Sequence, residues 1–294
     1  MDTDFEYRSA MFVPGGNEKM LAKAANLKAD LVIFDLEDSV PQAKKIDARA
    51  LVARKLKELD SDQQSFGVRV NDLSSGHTEA DLIEIVPARP DLIVLPKVET
   101  GDDLVKLEAI LGKLESANNL PVSSIKLIIL AAETPASLFQ FNSINKLSDR
   151  LIGMTWGAED LASELGAAQG RDQSTNNWLP PFQLAQTLCL IKARDLGIQA
   201  LDTVYPDIKN LEGLRDECLA AKQIGYTGKL AIHPLQIDII NDVFNPTEEE
   251  VEYAQRLIAL FSKNPDAGAL QLDGKMIDIP HLRAAERLLR RRRN

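Results

Sequence analysis

Short β-rich runs alternate with longer helix-period segments from one end of this chain to the other, and that alternation leaves few folds open. Eight runs read as strands, at residues 10–13, 31–34, 66–70, 92–95, 126–131, 151–156, 199–204 and 229–232. Between them lie segments whose apolar residues recur at three and four, such as 44–59, 101–114, 180–196 and 210–224. Strand and helix alternating in this way build a parallel sheet from βα units. Eight units suit a closed (β/α)8 barrel of the α/β class, and 294 residues suit one such barrel with an appendage. An open doubly wound sheet is the alternative. The barrel is expected over residues 1–245 and a helical extension over 246–294. There a helix near 247–262 precedes a Pro-Asp-Ala-Gly-Ala linker, the stretch LQLDGKMIDIP and a terminal helix. An extra segment of that size either packs across a barrel mouth or reaches a neighbouring subunit.

The residues that follow the runs gather the chemistry. In order they are Pro14-Gly15-Gly16, Asp35-Leu36-Glu37-Asp38, Asn71-Asp72, Pro96-Lys97, Glu133-Thr134, Glu159-Asp160, Tyr205-Pro206-Asp207 and His233-Pro234. Barrel active sites are built at these C-terminal strand ends. Any βα loop is polar and can open with a capping acid. That explains one or two positions, but not Asp35, Glu37, Arg69, Lys97, Glu133, Asp160 and His233 together.

Glu133 and Asp160 follow consecutive strands, so their carboxylates are expected side by side. One or two carboxylates with positions left for water and substrate oxygens suit Mg2+, with Mn2+ as an alternative ion. Zinc lacks ligands: the three histidines His77, His233 and His281 are widely spaced and no cysteine pair accompanies them. Asp35, Glu37 and Asp38 fit an outer ring that acts through the metal's bound water. N-capping of the next helix by Asp38 or Ser39 is the competing reading. Arg69, flanked by valines, suits bidentate capture of a substrate carboxylate, and an ion pair with the Asp35 acids is compatible with that role. Lys97 is read as structural or electrostatic rather than as a Schiff-base lysine.

Charge and composition exclude several classes. Basic and acidic residues number 34 and 44, a formal charge of −10, which argues against general affinity for nucleic acid or anionic membrane. The run Arg290 to Arg293 has no interleaved aromatic residues and reads as a solvated helix end. The two cysteines, Cys189 and Cys218, sit in helix-like stretches, so a reducing compartment is expected rather than a disulfide framework. The first residues lack the basic then apolar pattern of a signal peptide, and no apolar stretch approaches the ~18 residues of a membrane span. A cytoplasmic protein is the expectation.

At these same residues the chain closely resembles the citrate lyase β-subunit/HpcH-HpaI aldolase superfamily, in its acyl-CoA lyase branch of malyl-CoA and citramalyl-CoA lyases. The matching segments are RSAMFVPGGNEKM, ADLVIFDLEDSVP with DARALV, FGVRVN, DLIVLPKVE, LAAETPAS, WGAEDLASELG, ALDTVYPD, GKLAIHPLQI and LDGKMIDIP, spanning residues 8 to 280. The resemblance implies a (β/α)8 barrel assembled as trimers or hexamers, with Mg2+ on Glu133 and Asp160 and the keto-acid carboxylate on Arg69. It also implies that Asp278, inserted into a neighbouring subunit's site, is the catalytic acid/base, its pKa raised in a closed acidic site. Phe12, Lys23 and the segment around His233 match positions lining the CoA-thioester channel. From its residues alone Asp278 reads as an ordinary turn or cap.

The implied reaction is reversible Claisen-type cleavage of a 3-hydroxyacyl-CoA of citramalyl-, malyl- or citryl-CoA type, giving acetyl-CoA and a 2-keto acid. A citrate lyase β-subunit working on a carrier-protein thioester and a CoA-independent pyruvate aldolase are the alternatives, with thioester hydrolysis a related outcome. DTVYPD is similar to the first of these, whereas WGAEDL followed by Gly166 is similar to the free-standing enzymes. Relatives often carry an arginine where Gln186 stands, and the position near Asn17 is not basic, so the contacts to CoA phosphates are left open.

Overall fold

A computed structural model describes residues 6–59 and 64–291, and the side chains of all of these but Arg291. Eight parallel strands close into a barrel in chain order: β1 Ser9–Pro14, β2 Leu31–Asp35, β3 Ser65–Arg69, β4 Leu92–Leu95, β5 Lys126–Ala131, β6 Leu151–Trp156, β7 Gln199–Asp202 and β8 Gly228–Ala231. Closure is made by β1 against β8, with Ala10 opposite Leu230 and Met11 opposite Ala231. All eight expected runs are strands of this sheet, and the open-sheet alternative is excluded.

Alternation along the strands divides the apolar residues between two cores. Ala10, Leu31, Ile33, Leu92, Val94, Ile128, Leu130, Leu201 and Leu230 fill the barrel interior. Their strand neighbours Met11, Val32, Phe34, Ile93, Ile129, Met154 and Ala231 join the larger core beneath the surrounding helices. Both faces of each strand are therefore buried, as a parallel barrel requires. A register shift between Leu127 and Ile128 resets the pairing of β5 with β6, so Leu130 lies opposite Thr155 and Ala131 opposite Trp156.

The layer under the helices also carries charge. Lys229 on β8 meets Asp202 at 2.7 Å and Glu217 at 2.6 Å, with both Lys229 and Asp202 side chains fully buried. Asp202 also accepts from the indole of Trp156 at 2.9 Å and from Gln186 at 3.1 Å. Glu217 continues to Arg171, whose guanidinium lies 3.4 Å over the Trp178 ring. Burial raises the Asp202 carboxyl, but Lys229 and these donors outweigh it and hold the group below the ordinary range.

Beyond the barrel, helix Glu248–Lys263 begins with a capping box from Thr247 to Glu250. A hairpin follows, β9 Ala269–Leu272 paired antiparallel with β10 Lys275–Asp278, and then helix Ile279–Arg291. Asp273 and Gly274 both have positive φ, the geometry of a two-residue hairpin turn. Ile277 and Ala285 pack with Ala254, Leu257 and Phe261 in a separate small core. The outer part of the Arg290 to Arg293 run lies outside the described residues. Cys189 and Cys218 are buried free thiols, and burial pushes the Cys218 thiol up to about 12. Among the described residues no helix is long and apolar enough to cross a membrane.

Candidate active site

The mouth at the C-terminal strand ends is built by strands that deliver ionisable groups as they leave the sheet. β2 ends on Asp35 and β3 on Arg69, in register with each other. Their side chains form a two-point pair, Arg69 Nε to Asp35 Oδ1 at 2.7 Å and Nη2 to Oδ2 at 2.8 Å. Asp35 also accepts from the backbone N–H groups of Glu37 and Ser39, at 3.0 and 3.1 Å, which folds the acidic loop back over the strand end. The next helical turn starts after Pro41, so neither Asp38 nor Ser39 caps it and the competing reading of this cluster falls away. Burial raises Asp35, but Arg69 beside it wins and holds the carboxyl below its usual range.

Glu37 stands between two cations. Arg69 Nη1 is 2.9 Å from its Oε2, and Lys97 Nζ is 2.6 Å from its Oε1. Burial nevertheless pushes Glu37 up to about 7. The Arg69 guanidinium lies 4.7 Å over the Phe12 ring, within cation–π range, so Phe12 forms part of the mouth's floor. Asp38 is more exposed, 3.5 Å from Arg69 and 3.8 Å from Lys97.

Glu133 and Asp160 arrive from adjacent strands. Glu133 follows β5 through Ala132, whose φ is +57°, and its side chain is buried. Its Oε2 accepts from the backbone N–H of Lys97 at 2.5 Å. On the other side it lies against Gly157: a Cβ there would stand 2.5 Å from Glu133 Oε1 and 2.6 Å from its Cγ. Asp160 sits in the first turn of helix Ala158–Leu165, where the dipole favours an acid. Its Oδ1 is 3.1 Å from Lys97 Nζ. Burial first, then the charges of Asp160 and Glu37, raise Glu133 well above the carboxylate range. A buried carboxylate crowded by two others is stabilised as the anion by an added cation. Among the described residues no three or more His, Cys, Asp or Glu side chains form a ligand cluster. Two carboxylates with the remaining positions left to water and substrate oxygens fit a hard divalent ion, not a closed protein cage.

The structure thus brings together Asp35, Glu37, Asp38, Arg69, Lys97, Glu133, Asp160 and Phe12 from the sequence reading, with Lys97 in the electrostatic role expected of it, and adds Gly157. Lys97 is signalled by its place after a strand; Gly157 carries no signal of its own, because its role is the space it leaves. His233 caps helix Pro234–Phe244, its Nδ1 accepting from Leu235 N–H at 3.2 Å. Lys23 is exposed at the end of helix Glu18–Lys23, which Asn17 caps. Gln186 is engaged with Asp202 in the layer under the helices. Asp278 stands apart, at the end of β10 with His281 Nδ1 2.5 Å from its Oδ1. His281 holds that carboxyl below the usual range, so within one chain the raised pKa expected for a closed site is not met.

A closed parallel barrel with acids and two cations at its C-terminal mouth defines an α/β-barrel enzyme. The sequence matches the HpcH/HpaI aldolase/citrate lyase family over residues 8–234, and the chain belongs to that family. It is similar to a citrate lyase subunit beta of Haemophilus influenzae, 37% identical over 288 residues and covering 97% of this chain and 96% of that one. It is 36% identical over 285 residues to a (3S)-malyl-CoA thioesterase of Cereibacter sphaeroides, covering 96% and 93%. Among solved structures, the CitE protein of Mycobacterium tuberculosis in complex with magnesium, acetoacetate and coenzyme A matches with a TM-score of 0.74 and 29% identity, over 96% of each chain. This chain is a carbon–carbon lyase by that kinship.

Proposed function

We propose that the protein is a Mg2+-dependent lyase that cleaves a 3-hydroxyacyl-CoA into acetyl-CoA and a 2-keto acid, reversibly. The observation that carries this reading is Glu133: a buried carboxylate beside Asp160 and Glu37, in reach of an arginine already fixed for anion recognition. The magnesium and coenzyme A bound by the M. tuberculosis relative support the same assignment. Glu133 and Asp160 would hold the ion, which supplies a Lewis acid for the 3-hydroxyl and the adjoining carboxylate.

The protein's own groups do the rest. Arg69 gives Nε and Nη2 to Asp35 and faces Glu37 with Nη1, so a substrate carboxylate would take the N–H groups of Nη1 and Nη2 that these acids leave over. Held rigidly on both sides, that guanidinium fixes the keto-acid half and offsets its charge. Lys97 and Glu37 close the side of the mouth next to Asp160. As the carbon–carbon bond breaks, the 3-hydroxyl gives up its proton and becomes the keto acid's carbonyl, the bonding pair passes to the thioester as an enolate, and an acid returns one proton to the α-carbon.

We assign that proton to Asp278 of a neighbouring subunit. The hairpin carrying it packs with helix Glu248–Lys263 and leaves Met276 and Ile279 exposed, which suits an arm at residues 246–294 that completes another copy's mouth in a trimer or hexamer. Seated there, Asp278 would exchange His281 for an acidic, closed setting, and its pKa would rise. Phe12, Lys23 and His233 are assigned to the thioester's path. The similarity to a malyl-CoA thioesterase supports a second outcome at the same site, hydrolysis of the thioester by water.

Purified protein is tested with citramalyl-CoA, malyl-CoA and citryl-CoA, with Mg2+ and with EDTA. Keto acid and acetyl-CoA formed only with the metal are expected. Free CoA without acetyl-CoA would select hydrolysis. No keto acid and no CoA released from any member of the panel would defeat the proposal.

A further inference from the structure

Lys97 is held at once through its backbone and through its side chain. Its backbone takes φ +52°, the left-handed region that non-glycine residues rarely occupy and that marks a site where surroundings dictate the conformation. The surroundings are visible: its N–H is held by Glu133 at 2.5 Å, and the next N–H, of Val98, by the Leu130 carbonyl at 3.1 Å. The origin of the side chain is thus fixed on a residue already assigned to the metal. From there the ammonium reaches across the mouth to Asp160 at 3.1 Å and Glu37 at 2.6 Å, with Asp38 at 3.8 Å. One backbone position therefore touches Glu133 with its amide and Asp160 with its charge.

The two cations of the mouth are not equivalent. Arg69 is locked by its two-point pair with Asp35 and its place over Phe12, and it cannot leave without stranding a buried acid. Lys97 is a point charge on a flexible stem, and its side chain is 30% exposed, so it has room to move. It also has two anchors, and the closer one is Glu37. Giving up Asp160 leaves its pair with Glu37 intact.

We propose that Lys97 and a divalent cation compete for Asp160, so that residue 97 sets the affinity of the site for its metal. The ammonium keeps Asp160 and Glu37 together, then retreats to Glu37 as the ion takes Asp160. The inference rests on the reading of Glu133 and Asp160 as metal ligands.

The test is Mn2+ binding by electron paramagnetic resonance, with melting curves, on wild type, Lys97→Met, Lys97→Arg and Glu133→Ala. Lys97→Met keeps the stem and removes the charge, and is expected to tighten Mn2+ binding by about tenfold or more at low salt. In EDTA the same variant should melt below wild type, with the gap closing as Mn2+ is added. Lys97→Arg should bind Mn2+ within a few-fold of wild type. Mn2+ binding that needs Glu133 but is unchanged or weaker in a folded Lys97→Met overturns this inference alone. Binding that survives Glu133→Ala overturns the metal reading and this inference with it. If Lys97→Met fails to fold, Lys97→Gln is measured against the same criteria.

Discussion

Gly157→Ala separates the fold of this protein from its site. The added methyl would sit 2.5 Å from Glu133 Oε1, 2.6 Å from its Cγ and 3.0 Å from its Cδ, so the two cannot coexist as they stand. Either the carboxylate swings away, leaving the Lys97 N–H without its acceptor at ~1–3 kcal/mol, or the end of β6 shifts, also at ~1–3 kcal/mol. The first path is easier, because the obstacle is side chain rather than backbone, although the contact at Cγ means that the whole Glu133 arm turns and not its tip alone. The variant should therefore fold, with a melting temperature a few degrees below wild type. Mn2+ affinity, read by electron paramagnetic resonance, should fall on the order of 10–100-fold, since one of two protein carboxylates has lost its position. Gly228→Ala is the control: its Cβ would meet the backbone carbonyls of Tyr7 and Arg8 at the barrel closure, so it should damage stability far more than Gly157→Ala. A Gly157→Ala protein that binds Mn2+ as wild type does would refute the placement of Glu133 in the metal site.

Other expectations follow from buried charge. Glu115 and Arg150 form a fully buried two-point pair, 2.8 Å on each side, so Glu115→Ala should lower stability by ~3–5 kcal/mol in chemical denaturation. Burial raises Glu115, but Arg150 and the N–H groups of Ile125 and Ser123 prevail and depress its pKa. The stabilisation is thus present above the unfolded-state value of about 4.3 and is lost as pH falls through the folded one. A Glu115→Gln variant should accordingly show a flatter acid limb in a pH series of melting temperatures. Lys229→Met alone should lower stability by ~3–5 kcal/mol by stranding Asp202, and Asp202→Asn/Lys229→Met together by clearly less, a coupling that a double-mutant cycle reads. Arg69→Lys keeps the charge and loses the fork held by Asp35, so KM for the acyl-CoA should rise and kcat fall, with Tm within a few degrees of wild type.

The barrel was legible because a parallel strand buried on both faces has to be written as an apolar run, as in Leu31 to Phe34 or Leu127 to Ala131. Its edges were less so: the run at 199–204 stops as strand at Asp202, where pairing with the four-residue β8 ends. The hairpin at β9 and β10 had a local signal, Asp273-Gly274, that reads as a turn but is masked by four-residue strands exposed on one side. Within the mouth, Glu133, Asp160, Arg69 and the Asp35 acids were visible as charges where strands end. Lys97's left-handed backbone and the space beside Gly157 were not, since each depends on a neighbour dozens of residues away. Asp278 is the opposite case: family resemblance singles it out, while one copy of the chain leaves it beside His281.

The most direct test of the account is the anomalous scattering of Mn2+ in crystals of the protein grown with a 2-keto acid such as pyruvate. One peak contacting Glu133 and Asp160, with the keto-acid carboxylate against Arg69 and the Lys97 ammonium withdrawn from Asp160, is the predicted result. A peak elsewhere, or a keto acid bound away from Arg69 while Glu133 stays without a metal, would contradict it.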